Sequence, residues 1–452
     1  MYDVVIIGAG IAGLSAAQEL TKRNLSVLVC EARDRVGGRV ENGTLSDGEL
    51  VELGGQWLGP GFDSMFELAE RYQLGLIDLP SHGDFVVRLQ GRTISVPSRD
   101  GVTPNMTPFE VADLGQGLLR FKRLAERVQD DEAWVQANTA WLKQDLRRWV
   151  LTNLRTPGGQ QHFGDAFEAA FGPMRAGETL IEGLHQVNSG VDLESLVAVN
   201  GGLHQSRVEG GIFAICQAMA DELGDVVRLS SPVVEVRHTD DSATVVLADG
   251  EEIEARRVIS TLPPRLATAM RYEPPLPAWR DEVAKKVAKG NVIKAFLVYD
   301  EPWWREQGLS GQMGSDEGSV KVTFDTSGAD SKRGTLMGFF EGADADSLSK
   351  RSVTLRQLSF AESVKRAFGD MVTSEPSEYM ERDWSAEEYT GGCHGAHFAP
   401  GVWTVNGPLL SEPTGVIHWA GAEYASRFNG YLEGAVRSGR EVAAAVASDL
   451  TL

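Results

Sequence analysis

Tyr2-Asp3-Val4-Val5-Ile6-Ile7 is a short β-branched run that stops at Gly8-Ala9-Gly10-Ile11-Ala12-Gly13, and from Leu14 to Leu20 the pattern turns helical. Few arrangements accept that order. The run predicts a buried parallel strand, and the glycines predict the turn of a dinucleotide-binding βαβ unit. In this reading Gly8 makes the tight turn, Gly10 lets the backbone approach a pyrophosphate, and Gly13 lets helix and strand pack closely. The helix start around Ala12 offers N–H groups to an anion. A second strand, Ser26 to Cys30, ends at Glu31, a carboxylate placed to accept hydrogen bonds from ribose hydroxyls. A lone glycine motif is weak evidence; between a strand and a helix, with an acid closing the next strand, it is strong.

Two further stretches narrow the choice. Arg33-Asp34-Arg35-Val36-Gly37-Gly38-Arg39 supplies a second potential pyrophosphate contact, and Val51-Glu52-Leu53-Gly54-Gly55-Gln56-Trp57 adds bare backbone. An NAD-binding module with ordinary glycine-rich loops is the other reading of these residues. The stretch from Asp3 to Trp57, however, resembles the flavin-containing amine oxidase superfamily, and within it a soluble, bacterial-type member of the monoamine oxidase family. The resemblance implies that this segment holds FAD.

Length and composition set the outer limits. A chain of 452 residues with 42% hydrophobic content is long enough for two or three domains with substantial cores. The net charge of −21 argues against nucleic acid and against a polybasic membrane contact. Cys30, Cys216 and Cys393 are far apart and include no CxxC pair, so neither a zinc site nor a disulfide framework is expected. No apolar run reaches the length of a membrane span. The chain begins with a strand and ends at Leu452 just after its last predicted helix, unlike the eukaryotic relatives that continue into a membrane helix. A soluble, cytoplasmic protein is expected, with a homodimer left open as its assembly.

Along the chain, Phe62 to Leu74 reads as a helix, and Phe85–Leu89 with Thr93–Val96 as paired strands. From Phe109 to about Asn200 the spacing of Leu114, Leu118, Leu119, Phe121, Leu124 and Val128, then Trp134, Trp141, Leu142, Leu146 and Trp149, is helical. A helix from Ile212 to about Leu223 precedes strands at Val226–Leu229, Val233–His238, Thr244–Ala248, Ile253–Ala255 and Arg257–Leu262, an antiparallel meander with an Asp-Gly turn. Gly415–Ala420 is a strand, and a slim helix begins near Gly430. The cofactor motifs stand at the start, middle and end, so the expected fold is α/β. It combines a discontinuous Rossmann-like FAD-binding domain (1–79, 205–284, 388–452) with a mixed sheet-and-helix substrate domain (80–204, 285–387).

The resemblance assigns roles to residues that spacing alone leaves open. Val233, following Ser231-Pro232, touches the adenine through its backbone. Lys294 interrupts the apolar strand Val292–Tyr299 ahead of Asp300-Glu301-Pro302-Trp303-Trp304, and the family pattern puts it at N5 of the flavin through a water. Period-two alternation alone would place it on a solvated face. Trp384 packs near the ring. Cys393, after Gly391-Gly392, carries the flavin through an 8α-thioether, or else lies beside a noncovalent flavin. Gly421 and Glu423 belong to the phosphate region, Leu432 contacts the ring by its backbone, and Tyr431 forms one wall of the substrate cavity. His394 stands where animal monoamine oxidases have a tyrosine. It either forms the opposite wall or turns outward.

The implied reaction is oxidative deamination of a primary, aryl-alkyl amine with O2, giving aldehyde, ammonia and hydrogen peroxide. A diamine or polyamine oxidase would need a carboxylate for the distal ammonium, and an L-amino-acid oxidase an arginine for the substrate carboxylate. A flavin-binding interaction module without turnover is the reading from another class.

Overall fold

The computed structural model describes residues 1–78, 82–89, 91–96, 107–128, 138, 143–171, 179–188, 204–288, 290–328, 331–393, 397–398 and 408–451. Its first sheet has eight described strands. From one edge these are Arg271–Glu273, Val233–His238, Ala243–Leu247, Glu252–Ser260, Tyr2–Ile7, Val27–Cys30 and Val227–Arg228, with Ile417–Trp419 paired beside the far half of Glu252–Ser260. The strands around Tyr2–Ile7 are parallel, as a βαβ crossover demands, and the meander from Val233 to Ser260 is antiparallel. The two short strands expected at Ile253–Ala255 and Arg257–Leu262 are one continuous strand, because its two halves pair with different neighbours on the same edge.

The helix Ile11–Thr21 follows the first strand, and the C-terminal helix Leu432–Thr451 lies against it. Their small residues explain the close approach. A Cβ at Gly13 would stand 2.0 Å from the carbonyl oxygen of Gly8, and one at Gly439 would stand 2.3 Å from that of Ala12. Glu433, fully buried, accepts hydrogen bonds from the N–H groups of Ser64 and Met65 at the start of the helix Asp63–Arg71, and from Arg437 one turn on. That acid fixes the second helix to the last one.

The second sheet runs Glu378–Asp383, Val292–Tyr299, Gly334–Glu341, Val322–Asp325, Leu309–Ser315, Asp84–Leu89 and Arg92–Val96. On one face Ile293, Ala295, Leu297 and Tyr299 pack with Trp303, Trp304 and the helix Val353–Phe368. On the other, Phe296 and Val298 meet Leu45, Val51 and Leu53 of the first unit. All eight residues of Val292–Tyr299 are buried, which overturns the solvated-face reading of Lys294.

Helices Pro108–Ala125, Leu146–Asn153, Pro157–Phe171 and Leu180–Asn188 occupy the region predicted helical. There the periodicity misled in one place. Leu119 is 48% exposed, and the buried stripe of that helix is Gly117, Phe121 and Ala125, because Leu154 packs onto the bare Gly117. Trp134, Trp141 and Leu142 lie outside the described residues. Among the described residues no helix is long and apolar enough to cross a membrane.

Candidate active site

The segment Gly54–Trp57 is the point where distant parts of the chain meet. Gly54 lies so close to the backbone of Arg39 that a Cβ there would stand 2.0 Å from the Arg39 carbonyl oxygen. The Gly55 N–H donates to that same oxygen at 3.2 Å, and the side chain of Leu432 covers the bare face of Gly55. Trp384 donates from Nε1 to the Leu53 carbonyl at 2.8 Å. Period-two alternation turns Lys294 toward this segment, where its Nζ donates to the Gly54 carbonyl at 2.8 Å and to Gln56 Oε1. The ammonium also lies 5.7 Å from the Trp57 ring and 5.5 Å from that of Phe296.

Lys294 is 2% exposed, and loss of hydration pushes its ammonium well below the ordinary lysine range. The same cause lifts Glu52, buried and hydrogen-bonded to the Ile212 N–H at 2.9 Å, well above the ordinary carboxylate range. The two act on each other, and Arg207 acts on both. Sequence reasoning missed Glu52; its position just before Leu53-Gly54-Gly55, in a strand otherwise apolar, was the available signal.

At the opposite end stands Glu31, 4% exposed. It accepts from the N–H of Ala9 at 2.7 Å and of Arg33 at 3.0 Å, so it clamps the glycine turn and keeps lone pairs to spare. The Ser231 N–H donates to its carbonyl, which brings Val233 to the same end. Between the two ends, Gly10 pairs with Gly37 and faces Gly38. Arg39 and Glu423 form a bidentate pair at 2.6 and 2.8 Å, Gly421 is anchored to Ser438, and Arg33 is held by Glu387 at 2.8 Å. The carboxylate of Glu423 holds the Arg39 guanidinium well above its usual range.

Burial pushes the thiols of Cys30 and Cys216 up to about 12, so neither supplies thiolate near neutral pH. Cys393 is half-buried, donates its N–H to the Gly290 carbonyl at 3.0 Å, and acts electrostatically on both Arg39 and Lys294. Tyr431 is half-buried, next to Leu432, with its ring 6.0 Å from that of Phe62. His394 lies outside the described residues. Pairwise contacts thus join Glu31 to the glycine turn, that turn to Gly37 and Gly38, and Arg39, paired with Glu423, to the Gly54–Trp57 segment that Lys294, Trp384 and Leu432 also reach.

The family model for flavin containing amine oxidoreductases matches residues 11–447. The chain belongs to that family. Its activity is flavin-dependent oxidation of an amine. A protein of Mycobacterium tuberculosis carrying the name flavin-containing monoamine oxidase AofH is 35% identical over 99% of this chain and 96% of its own. Among solved structures, wild-type putrescine oxidase bound to putrescine superposes with a TM-score of 0.90 at 29% identity, covering 99% of both chains. Cyclohexylamine oxidase from Brevibacterium oxydans gives 0.89 at 28% identity over 100% of both.

This amine oxidoreductase has the features that a flavin requires. Bare backbone at Gly10, where an added Cβ would meet nothing nearer than the Gly38 Cα at 3.9 Å, leaves room for close approach. At the lysine end the buried donors Gln56 Nε2 and Trp57 Nε1 have no partner among the described residues, as expected where a polar ring is bound. Beside them Trp57 packs edge-on to His204 at 4.3 Å and tilted on Phe324 at 4.9 Å, with Phe339 at 6.2 Å. That is an aromatic wall, and its members outside the glycine segment escaped the sequence reading.

Proposed function

We propose that the enzyme converts a primary aryl-alkyl amine, O2 and water into the aldehyde, ammonia and hydrogen peroxide. The supporting observation is Lys294, a buried ammonium held by two neutral acceptors at the Gly54–Trp57 segment. Bound there as FAD, the flavin supplies the two-electron acceptor for the amine α-carbon and returns the electrons to dioxygen. In this reading Glu31 and Val233 hold the adenosine end. Gly8, Gly10, Ala12, Gly13, Arg33, Gly38, Arg39, Gly421 and Glu423 surround the diphosphate, and Gly54–Trp57, Trp384 and Leu432 surround the ring. Cys393 carries the covalent link. Lys294 places positive charge beside the ring and holds a water there. Tyr431 and the rings around Trp57 exclude bulk water and present flat apolar faces to the substrate.

The same reading divides the chain into a FAD-binding domain (1–79, 205–284, 388–452) and a substrate domain (80–204, 285–387). In its support, each of the two large sheets draws its strands from one of those sets. His394 enters the reading as the second wall of the amine cavity. A diamine would need a carboxylate for its distal ammonium. Beside Lys294 the rings of Trp57, His204, Phe324 and Phe339 offer flat faces that suit an aryl group on the substrate. The test is a peroxide-coupled panel of aryl-alkyl amines, alkyl amines, diamines and L-amino acids. The expected result is the highest kcat/KM with an aryl-alkyl monoamine. Turnover confined to diamines or amino acids would overturn the substrate class, and no peroxide with any amine would overturn the oxidase.

A further inference from the structure

Gln56 is 2% exposed, and one end of its carboxamide meets Lys294. An ammonium only donates, so the atom facing it is the carbonyl oxygen. With Oε1 accepting from Lys294, Nε2 is the other branch of the carboxamide. That Nε2 is buried with no partner among the described residues. The indole Nε1 of the next residue, Trp57, is in the same condition. Buried donors are rarely left unpaired, and each unpaired one calls for an explanation. Both lie on the segment that Leu432, Arg39 and Lys294 converge upon. The nearby carboxylate, Glu52, is already engaged by the Ile212 N–H.

We propose that Gln56 is a positioning residue with two roles: its carbonyl oxygen fixes the ammonium of Lys294, and its Nε2 donates a hydrogen bond to the acceptor edge of the bound flavin ring. The inference rests on the flavin reading above. A donor aimed at the ring stabilises the electron density it gains on reduction, so Gln56 raises the reduction potential.

The experiment compares the wild type with Gln56→Met and Gln56→Glu. Flavin content is measured first, after denaturation; a wild type without flavin would count against the functional reading itself. The reduction potential is then measured in each loaded protein, and the oxygen half-reaction by stopped flow. Gln56→Met removes both roles. Its reduced form should lose at least about tenfold in relative stability, roughly 30 mV for a two-electron couple, and reoxidation should slow several-fold. Gln56→Glu keeps an acceptor for Lys294 but not the donor, so the potential should fall while reoxidation stays within about twofold. A merely structural glutamine would lower flavin content or melting temperature and leave the potential of the remaining flavin unmoved. Potentials within about 9 mV of wild type in both variants, twofold in relative stability, would overturn the donor role, and undisturbed reoxidation in Gln56→Met would overturn the lysine role. Should Gln56→Met not fold, the neutral Gln56→Leu decides the donor role by the same potential measurement, and reoxidation in Gln56→Glu slowed as much as in Lys294→Met would overturn the lysine role.

Discussion

Two glycines of the same motif should fail in different ways when each is replaced by alanine. At Gly13 the new Cβ would stand 2.0 Å from the Gly8 carbonyl oxygen and 3.2 Å from its carbon. Both are backbone atoms of the first turn, so helix and turn have to separate by about 1 Å to restore ordinary contact. The helix has nowhere to go, because its outer side carries the C-terminal helix, with Gly439 already against Ala12. Overpacking a core by one methyl costs about 1–3 kcal/mol, and a site blocked on both sides belongs at the upper end. Gly10 is different. Its φ of −69° suits any residue, and the nearest atom to a Cβ is the Gly38 Cα at 3.9 Å. The added methyl clashes with nothing in the protein and projects where a pyrophosphate would approach. Gly10→Ala should therefore express and melt like the wild type yet carry at least tenfold less flavin. Gly13→Ala should lose soluble yield and melt several degrees lower, with its flavin deficit following from the fold. The assay is soluble yield, melting temperature at a fixed scan rate, since many proteins of this size unfold irreversibly, and flavin-to-protein ratio after denaturation. A wild-type melting temperature in Gly13→Ala, or full flavin occupancy in Gly10→Ala, would refute the reasoning.

Lys294→Met should slow flavin reoxidation about a hundredfold while amine-driven reduction changes by less than about threefold; equal effects in stopped flow would remove Lys294 from the oxygen step. Acid-denatured wild type should keep its yellow colour on the polypeptide, and Cys393→Ala should release it; free flavin from the wild type would leave Cys393 without the covalent role. His418, buried in the strand Ile417–Trp419 with Nε2 unpartnered among the described residues, has its pKa pushed down by burial from 6.5 to about 4. The unfolded chain takes up this proton first, so the contribution is complete above about pH 6.5 and is lost as pH falls toward 4, about 3 kcal/mol in all. His418→Leu should flatten the decline of melting temperature between pH 7 and pH 5, and an unchanged slope would locate the acid sensitivity elsewhere.

The dinucleotide turn was legible because everything it needs lies within a few residues: a strand, three glycines, a helix, and Glu31 one strand later. The antiparallel run from Val233 to Ala255 and the C-terminal helix were legible for the same reason, whereas Val227–Arg228, expected in the meander, pairs in parallel with Val27–Cys30 at the far edge, a contact that local pattern does not carry. Lys294 was not decided locally. A lysine in an apolar strand is compatible with a solvated face or a buried site, and the sequence of that strand cannot say what covers it. Only the packing of Leu45–Trp57 on one side and of the tryptophan cluster on the other shows that both faces are closed. Glu52 and Glu433 were invisible for a related reason. Each is defined by a backbone N–H far away in sequence, 160 residues for Glu52 and 369 for the Ser64 contact of Glu433. Leu119 shows the converse: helical spacing selected it for the core, yet Leu154 packs over Gly117 instead and leaves Leu119 in solvent. The sequence by itself determined the cofactor turn, the strand and helix types and the chemical kinds of residue available. The tertiary structure decided which polar groups are buried and which donors lack a protein partner, because burial belongs to both surfaces of a contact and a chain segment carries only one of them.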